Sequence, residues 1–319
     1  MKPSAAQDRR ERSVSSTPPQ DGSTCERPNT TMTCARDYLS LTKPRIVELL
    51  LVTTVPAMIA AASGWPGTRL IVTTVVGGAL VSGSAHATNM VIDRDIDRLM
   101  RRTAHRPVPT GRIEPGRALM FAALLFAAGV GVLWPFAGAV AAGLTVAAWM
   151  WYVGVYTLWL KRRTVHNIVV GGAAGAAPPM IGWAAVTGHV APPALVLFLV
   201  VVFWTPTHFW ALAIGTGGDY ARASVPMLPT VRGVRVAARH GLVYALVTVV
   251  ASLALPLTGV GGGWYLIVAS TLGGVFVGRS AALVREPEPE VAWSVFRTSN
   301  LYLALLFTAI AVTSLLAAP

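Results

Sequence analysis

The chain has 319 residues, of which 54% are hydrophobic and only 13% charged. A soluble domain carries about twice that charged fraction, so the composition excludes an ordinary soluble protein. The formal net charge of +12 is compatible with an anionic partner such as nucleic acid, but the positions of the basic residues give the charge another reason.

The first 36 residues are polar and rich in Ser, Thr and Pro. They contain no apolar stretch typical of a signal peptide, and acidic residues among them are unusual in a mitochondrial presequence. We therefore predict a disordered cytoplasmic tail over residues 1–36 and a transmembrane domain over residues 37–319. Cys25 and Cys34 lie in this tail, and their spacing indicates neither a metal site nor a disulfide.

Long uncharged runs fill the rest of the chain. A spanning helix needs about 20 residues, so the longest runs hold two helices each, divided at 134–136 and around Pro256. The alternating pattern of strands is absent, and we predict an all-α polytopic membrane protein. Its nine transmembrane helices are expected at 46–63, 70–92, 117–134, 137–158, 165–186, 193–215, 237–256, 263–280 and 298–317.

The basic residues lie on one side of this predicted topology. Of the 26 lysines and arginines, all but Arg69 lie before the first helix, in the connections after helices 2, 4, 6 and 8, or at the helix ends that border these connections. Because positive charge marks the cytoplasmic side, the N-terminus is expected inside and the C-terminus outside. The net charge therefore follows from topology, with anionic lipid as its partner, and it implies no nucleic acid.

Residues 89–107, NMVIDRDIDRLMRRTAHRP, gather charge of both signs where predicted helix 2 ends. Asn89, Asp93 and Asp97 are spaced i, i+4, i+8 and so share one face of a helix. Mg²⁺ is typically held by one or two carboxylates plus substrate phosphates, and nearby arginines can bind phosphate oxygens. The alternative is a loop whose aspartates only offset arginine repulsion, but acids contribute little to topology and are costly at membrane depth. Of the arginines that follow the acids, the candidates for this contact are Arg98, Arg102 and Arg106.

Two other predicted cytoplasmic connections supply further cations. Lys43 and Arg45 flank Pro44 directly before helix 1, and Lys161 follows helix 4. Each can bind an anion or simply anchor the chain at the membrane surface, and the sequence leaves both interpretations open.

Predicted helix 6 carries a histidine in an apolar context. His208 lies between Trp204 and Trp210, and Asp219 and Tyr220 stand at the cytoplasmic end of the same segment. This composition suits a flat aromatic ligand. A buried histidine can equally be a structural residue that forms a hydrogen bond with a neighbouring helix.

Together these segments resemble a known family. NMVIDRDIDRLMRRTAHRP resembles the N/D-x-x-x-D-x-x-x-D signature of the intramembrane (UbiA-type) prenyltransferases. LTKPR, DRDIDRLMRRT, NIVVGGAAGAAPPMIGW, TPTHFWALAI and DYARASVPMLP, in this order, resemble the haem-farnesylating branch of that superfamily. The resemblance runs from about Tyr38 to the end of the chain.

The resemblance implies nine transmembrane helices around a central cavity, with two acidic motifs facing each other near the cytoplasmic side. It implies transfer of a farnesyl group from farnesyl diphosphate to a vinyl group of haem b with Mg²⁺, giving haem O. Asn89, Asp93 and Asp97 then form the first diphosphate–magnesium motif, and Asp219 belongs to the second. Ala223 stands where the wider superfamily has a second acid, as in the haem-farnesylating branch.

On this basis we expect particular roles for the remaining candidates. The haem is expected against His208, Trp204 and Trp210. The resemblance also implies a bacterial cell membrane, an active site toward the cytoplasm, and a product that passes to a haem A synthase or a terminal oxidase. The diphosphate is expected to contact Lys43, Arg45, Arg98, Arg102, Arg106, Lys161 and Tyr220.

Two other functions compete with this interpretation. The first is prenylation of a quinone precursor such as 4-hydroxybenzoate or a naphthoate, which the missing second acid and the TPTHFW segment disfavour. The second is a transporter that uses Asp93 and Asp97 as a cation site, but transporters often carry inverted repeats, and the sequence shows no clear internal repeat.

Overall fold

A computed structural model describes residues 30–317 of the chain, without the side chains of residues 30–34 and 45–51. Within this range every regular element is a helix. The predicted tail lies mostly outside the described residues, and its last seven residues, 30–36, form the beginning of helix α1 (Thr30–Leu41). The side chain of Leu41, at the end of α1, is fully buried.

Among the described residues, nine longer helices overlap the ranges that hydropathy predicts. They are α2 (Pro44–Ala62), α3 (Thr68–Ile92), α5 (Pro115–Ala137), α6 (Ala139–Met150) with a π-helical segment (Trp151–Leu160), α7 (Asn167–Thr187), α8 (Pro192–Gly215), α11 (Val234–Leu253), α12 (Gly263–Arg285) and α13 (Pro289–Leu316). All but α2 are long and apolar enough to cross a membrane. For α2 only the part Val52–Ala62 is described with its side chains and counted as apolar, so its crossing remains a prediction, as does the orientation of the termini.

The ends of these helices follow from their sequence. Proline stands in the first turn of α2, α5, α8 and α13, where its missing N–H removes no hydrogen bond and its fixed φ suits the helix. Pro135, which was expected to separate two helices, lies instead inside α5, and the chain turns at Gly138 with a φ of 88°. Only glycine adopts that conformation without strain.

The long helices form a closed ring. Each packs against the next in the chain, and α13 returns to pack against α2. Glycines allow the close approaches, because a Cβ at Gly77 of α3 would lie 2.5 Å from Leu133 Cγ of α5. The ring encloses a cavity, and the short helices α4 (Arg94–Leu99), α9 (Asp219–Arg222) and α10 (Leu228–Arg232) lie in connections at one end of it.

Candidate active site

The first acidic motif lies at the junction of α3 and α4. Asn89 is in the last turn of α3, Asp97 is in α4, and Asp93 stands between the two helices. The helix is therefore not continuous as expected, but the backbone N–H of Asp93 still donates to the carbonyl of Asn89 (2.9 Å), and that of Asp97 to the carbonyl of Asp93 (2.8 Å). Helical spacing is preserved, and all three side chains are buried.

Each of these three side chains is bound to a cation from a distant or neighbouring segment. Lys43 Nζ donates to Asn89 Oδ1 (3.1 Å), and Lys161 forms an ion pair with Asp93. Asn89 in turn donates through Nδ2 to Asp93 Oδ2 (2.7 Å). The third pair joins Arg106 Nη1 and Asp97 Oδ2 (2.7 Å).

The cations at this junction outnumber the carboxylates that face the cavity. Lys43, Arg102, Arg106 and Lys161 all line it, together with Asn89 and Asp97. Burial lowers the pKa of Lys43 well below its usual range, and the neighbouring Arg106 and Lys161 lower it further. Such an arrangement attracts an anion, because a bound anion relieves repulsion among the cations.

The same residues fit a magnesium ion. Asp93 Oδ1 is buried and has no hydrogen-bond partner among the described residues, while Arg162 lies 3.6 Å away. A carboxylate oxygen in that state can take a hard cation. In the described part of the chain no three His, Cys, Asp or Glu side chains converge as a metal site, so the amide of Asn89, substrate phosphates and water must complete the coordination.

The second motif contacts the connection that carries the first. Asp219, at the start of α9, accepts hydrogen bonds from the backbone N–H groups of Arg101 (3.3 Å) and Arg102 (3.4 Å) and forms an ion pair with Arg222. Arg102 also donates through Nη2 to the hydroxyl of Tyr220 (3.4 Å). The structure thus brings Asp219 and Tyr220 next to the first motif, with Asp219 positioning the backbone of residues 101–102.

Two expected contacts, Arg98 and Trp210, do not line the cavity, and a third lies outside the described side chains. Arg98 donates through Nε to the carbonyl of Pro109 (3.0 Å), because it is rotated about 100° from Asp97 on the helix. Trp210 is about 200° from His208 and packs against His240 and Tyr244 instead. Both expectations need this correction. The side chain of Arg45 lies outside the described residues.

Asp95 differs from its two neighbours. Its side chain is 60% exposed and pairs with Arg162 Nη2 at 2.7 Å. The hydrogen bond from Arg162 lowers the pKa of Asp95 to about 2, and Asp95 in turn raises the pKa of Arg162. Asp95 is two residues from both Asp93 and Asp97, a rotation of about 200° along a helix, and its side chain therefore lies on another face.

The cavity has a volume of about 960 Å³, and its inner walls are mainly apolar and aromatic. Volumes of about 300–1,000 Å³ are typical of small-molecule sites, so this one is near the upper end. The aromatic wall is formed by Tyr152, Tyr156, Trp204, His208, Phe209, Trp293 and Phe296.

His208 fits both interpretations that the sequence left open. Its Nδ1 shares a hydrogen bond with Ser299 Oγ of α13 (2.9 Å), which is the structural alternative. Its ring also lines the cavity and stacks on Trp204, with centroids 4.3 Å apart, and against Phe296 at 4.5 Å. A flat ligand could therefore extend this aromatic stack.

Several site residues were missed by the sequence analysis. His86 lines the cavity and lies three residues before Asn89 on α3, so helical periodicity could have revealed it. Tyr152 and Tyr156 could not be found in that way, because the direction of their side chains depends on the π-helical segment.

Asn167 is a further residue that the sequence did not indicate. It is fully buried and donates to the carbonyls of Thr164 (2.7 Å) and Pro226 (3.2 Å). These bonds connect the segment after Lys161 to the segment after α9.

Comparison with known proteins places this geometry in context. The sequence pattern of the UbiA prenyltransferase family matches residues 50–310. A protein named protoheme IX farnesyltransferase from Thermus thermophilus is 50% identical over 277 residues, which are 87% of this chain and 46% of that protein. The chain thus spans about half the length of that relative. A protein of the same name from Symbiobacterium thermophilum is 49% identical over 86% of this chain and 92% of its own length.

Solved structures share the fold. A digeranylgeranylglyceryl phosphate synthase superposes with a TM-score of 0.71 at 20% identity, over 89% of this chain and 99% of its own. A UbiA homolog from Archaeoglobus fulgidus bound to GPP and Mg²⁺ superposes with a TM-score of 0.59 at 16% identity, over 86% and 99% of the two chains.

Proposed function

The chain belongs to the UbiA prenyltransferase family, and we propose that it transfers the farnesyl group of farnesyl diphosphate to a vinyl group of haem b, giving haem O and diphosphate. The observation that carries this proposal is a large cavity with the carboxylate of Asp97 and four basic side chains at one end and an aromatic wall deeper inside. One cavity can then hold an anionic head group, a prenyl chain and a flat ring. The relatives named protoheme IX farnesyltransferase support haem as the acceptor.

The residues at the mouth are proposed to bind the diphosphate. Lys43, Arg102, Arg106 and Lys161 would contact its oxygens, with Tyr220 beside Arg102. Asn89, Asp93 and Asp97 would hold Mg²⁺, with Asp219 fixing the adjoining backbone. Bound Mg²⁺ supplies Lewis-acid stabilisation of the charge on the departing diphosphate. Because Lys161 and Arg106 already pair with Asp93 and Asp97, these cations can turn to phosphate when the carboxylates take the metal.

The proposed reaction proceeds through ionisation. The bond between farnesyl C1 and oxygen breaks, and the diphosphate leaves with the electron pair. The apolar walls keep water from the allylic cation, so that the electron-rich vinyl group attacks C1 with its terminal carbon. The cation that forms next to the porphyrin ring takes the oxygen of a water molecule and loses a proton, which gives the hydroxyethylfarnesyl group. His208 and Trp204 are proposed to contact the ring.

We also propose the cellular setting. The protein would lie in a cell membrane with its N-terminus and active site toward the cytoplasm and its C-terminus outside, as the basic connections predict. Residues 1–36 would act apart from the catalytic domain. The product would pass to a haem A synthase or a terminal oxidase.

Expression in cells that lack haem O and haem A tests the proposal. Extraction of the pigments is expected to yield haem O when this chain is present and none when it is absent. Accumulation of a prenylated 4-hydroxybenzoate or naphthoate, without haem O, would identify a quinone-precursor prenyltransferase instead.

A further inference from the structure

His86 is a histidine within the cavity that the proposed mechanism does not yet use. It lies on α3, its side chain is buried and it lines the cavity with Asn89. His86 and Asn89 are three positions apart on α3, so they lie on the same face of the helix and differ by a rise of about 4.5 Å. His86 is therefore one turn deeper than the diphosphate end of the site, at the depth where the reacting carbons follow the head group.

The hydrogen bonding of His86 leaves one ring nitrogen open to the cavity. Nδ1 lies 3.4 Å from the hydroxyl of Tyr152, and the two rings meet edge to face with centroids 5.4 Å apart. Among the described residues Nε2 has no hydrogen-bond partner. When Nδ1 carries the proton and donates to Tyr152, Nε2 is an acceptor, and a water molecule in the cavity can donate to it.

The proposed reaction needs such an acceptor. When water adds to the cation next to the porphyrin ring, its oxygen gains a bond and one of its protons must leave. Without a base placed beside this water, the cation can instead give up a proton from its adjacent carbon to the released diphosphate and form a carbon–carbon double bond. The first outcome gives the hydroxylated substituent, and the second gives an unsaturated product that is lighter by one water.

The other bases near this position have partners of their own. Asp93 and Asp97 pair with Lys161 and Arg106 and lie at the diphosphate end. His208 lies on α8, four helices further along the ring than α3, and its Nδ1 is bound to Ser299. His86 thus lies one helical turn deeper in the cavity than Asn89, its Nε2 has no partner among the described residues, and Tyr152 orients its ring.

We propose that His86 Nε2 accepts the proton of the water that adds to the vinyl-derived cation, with Tyr152 fixing the imidazole. This inference rests on the proposed function. His86 becomes an imidazolium ion, the new oxygen–carbon bond completes the hydroxyl group, and the proton passes on to the released diphosphate or to solvent. No oxidant or further reactant is needed.

The test compares the products of the purified full-length protein and of His86→Gln, with farnesyl diphosphate, haem b and Mg²⁺. Glutamine keeps a polar group at that depth but takes up no proton. A general base contributes about 10²–10⁴ to its step, so we expect the ratio of hydroxylated to unsaturated farnesylated haem to fall at least about tenfold. Added imidazole is expected to restore hydroxylation in His86→Gly.

The controls separate this role from a structural one. His189→Gln makes the same change in an exposed connection, where the histidine bonds only to Thr187, and is expected to leave the ratio unchanged. Tyr152→Phe keeps the imidazole but removes its partner, and is expected to shift the ratio in the same direction by less. Because a product ratio does not depend on how much protein folds, a poorly accumulating variant still gives an answer.

An unchanged product ratio in His86→Gln would overturn the assignment. So would equal loss of both products without rescue by imidazole, because that pattern is expected of a structural residue. Failure of the wild-type protein to farnesylate haem at all would instead overturn the proposed function, and the two results are distinguished by the wild-type reaction alone.

Discussion

The three aspartates within residues 93–97 have unequal surroundings, although they lie within five positions. Asp93 and Asp97 are buried and paired with cations that line the cavity, whereas Asp95 faces outward to Arg162. We predict that Asp93→Asn or Asp97→Asn lowers farnesyl transfer by about 10²-fold or more, the size expected when a charged group that stabilises a transition state is lost. Haem O formed per amount of membrane-inserted protein measures this effect.

Asp95→Asn is the matched control for both changes. It removes the same charge from the same segment but leaves the cavity unaltered, so its activity should remain within a few-fold of wild type. Haem O at normal yield in Asp93→Asn or Asp97→Asn, at equal protein level, would rule out the metal assignment.

His208 is the residue where two roles remain to be separated. We predict that His208→Ala weakens haem binding and changes the haem absorption spectrum while leaving the affinity for farnesyl diphosphate as it is, because the ring lies in the aromatic wall away from the cationic mouth. Titrations with each ligand measure the two affinities. Ser299→Ala removes the hydrogen bond to Nδ1 and the one that Ser299 Oγ donates to the carbonyl of Phe296, but it keeps the imidazole and is expected to have a smaller effect. If haem affinity and spectrum stay unchanged in His208→Ala, the histidine is structural.

Individual site residues could be predicted where their arrangement depends only on nearby residues in the sequence. Asn89, Asp93 and Asp97 could be grouped from their i, i+4 spacing, since helical periodicity depends on the chain alone. Trp210 was placed wrongly because closeness in sequence to His208 does not give the same helix face. The ion pair of Lys161 with Asp93 joins residues 68 positions apart, and such a pair depends on helix packing that no local pattern encodes.

Among the helices, the π-helical segment is the element that most directly shapes the site. It carries Tyr152 and Tyr156 on the cavity wall and ends immediately before Lys161. Segments of π-helix are rare and are frequently found at functional sites. Hydropathy predicted a spanning helix at this position but not its π-helical geometry, because α- and π-helices bury the same types of residue.

A pair of glycines on α7 tests the importance of this segment. A Cβ at Gly171 would lie 2.2 Å from Tyr156 Cδ2, whereas a Cβ at Gly175 meets nothing within 4 Å. Overpacking of this kind costs about 1–3 kcal/mol. We predict that Gly171→Ala displaces the tyrosine and lowers both thermal stability and farnesyl transfer.

Gly175→Ala makes the same substitution one turn further along α7 and is expected to match wild type in both measurements. A melting temperature and an activity that are equal in the two variants would show that the contact between α7 and the π-helical segment is not critical for the site.

For the whole molecule, the sequence predicted a number of helices but not their arrangement as a closed ring. The nine predicted helices follow from hydropathy and the alternation of basic connections. The return of α13 to α2 and the position of α1 depend on packing between distant segments, so the sequence did not reveal them.

The orientation of the whole molecule in the membrane can be tested by labelling, because we predict that the basic connections face the cytoplasm. After replacement of Cys25 and Cys34 by serine, single cysteines near Arg112 and Arg232 should resist a membrane-impermeant thiol reagent added outside intact cells. A cysteine near Gly262 should react, because it lies in a connection without basic residues. The opposite labelling pattern would reverse the topology and the side from which the diphosphate enters.

The most direct measurement combines purified protein in lipid vesicles with farnesyl diphosphate, Mg²⁺ and either haem b or 4-hydroxybenzoate, and identifies the products by mass spectrometry. We predict that haem O and diphosphate form in equal amounts with haem b, that 4-hydroxybenzoate is not prenylated, and that Asp93→Asn abolishes the reaction while Asp95→Asn retains it. Prenylation of 4-hydroxybenzoate with haem b left unmodified would contradict the assignment of haem as the acceptor.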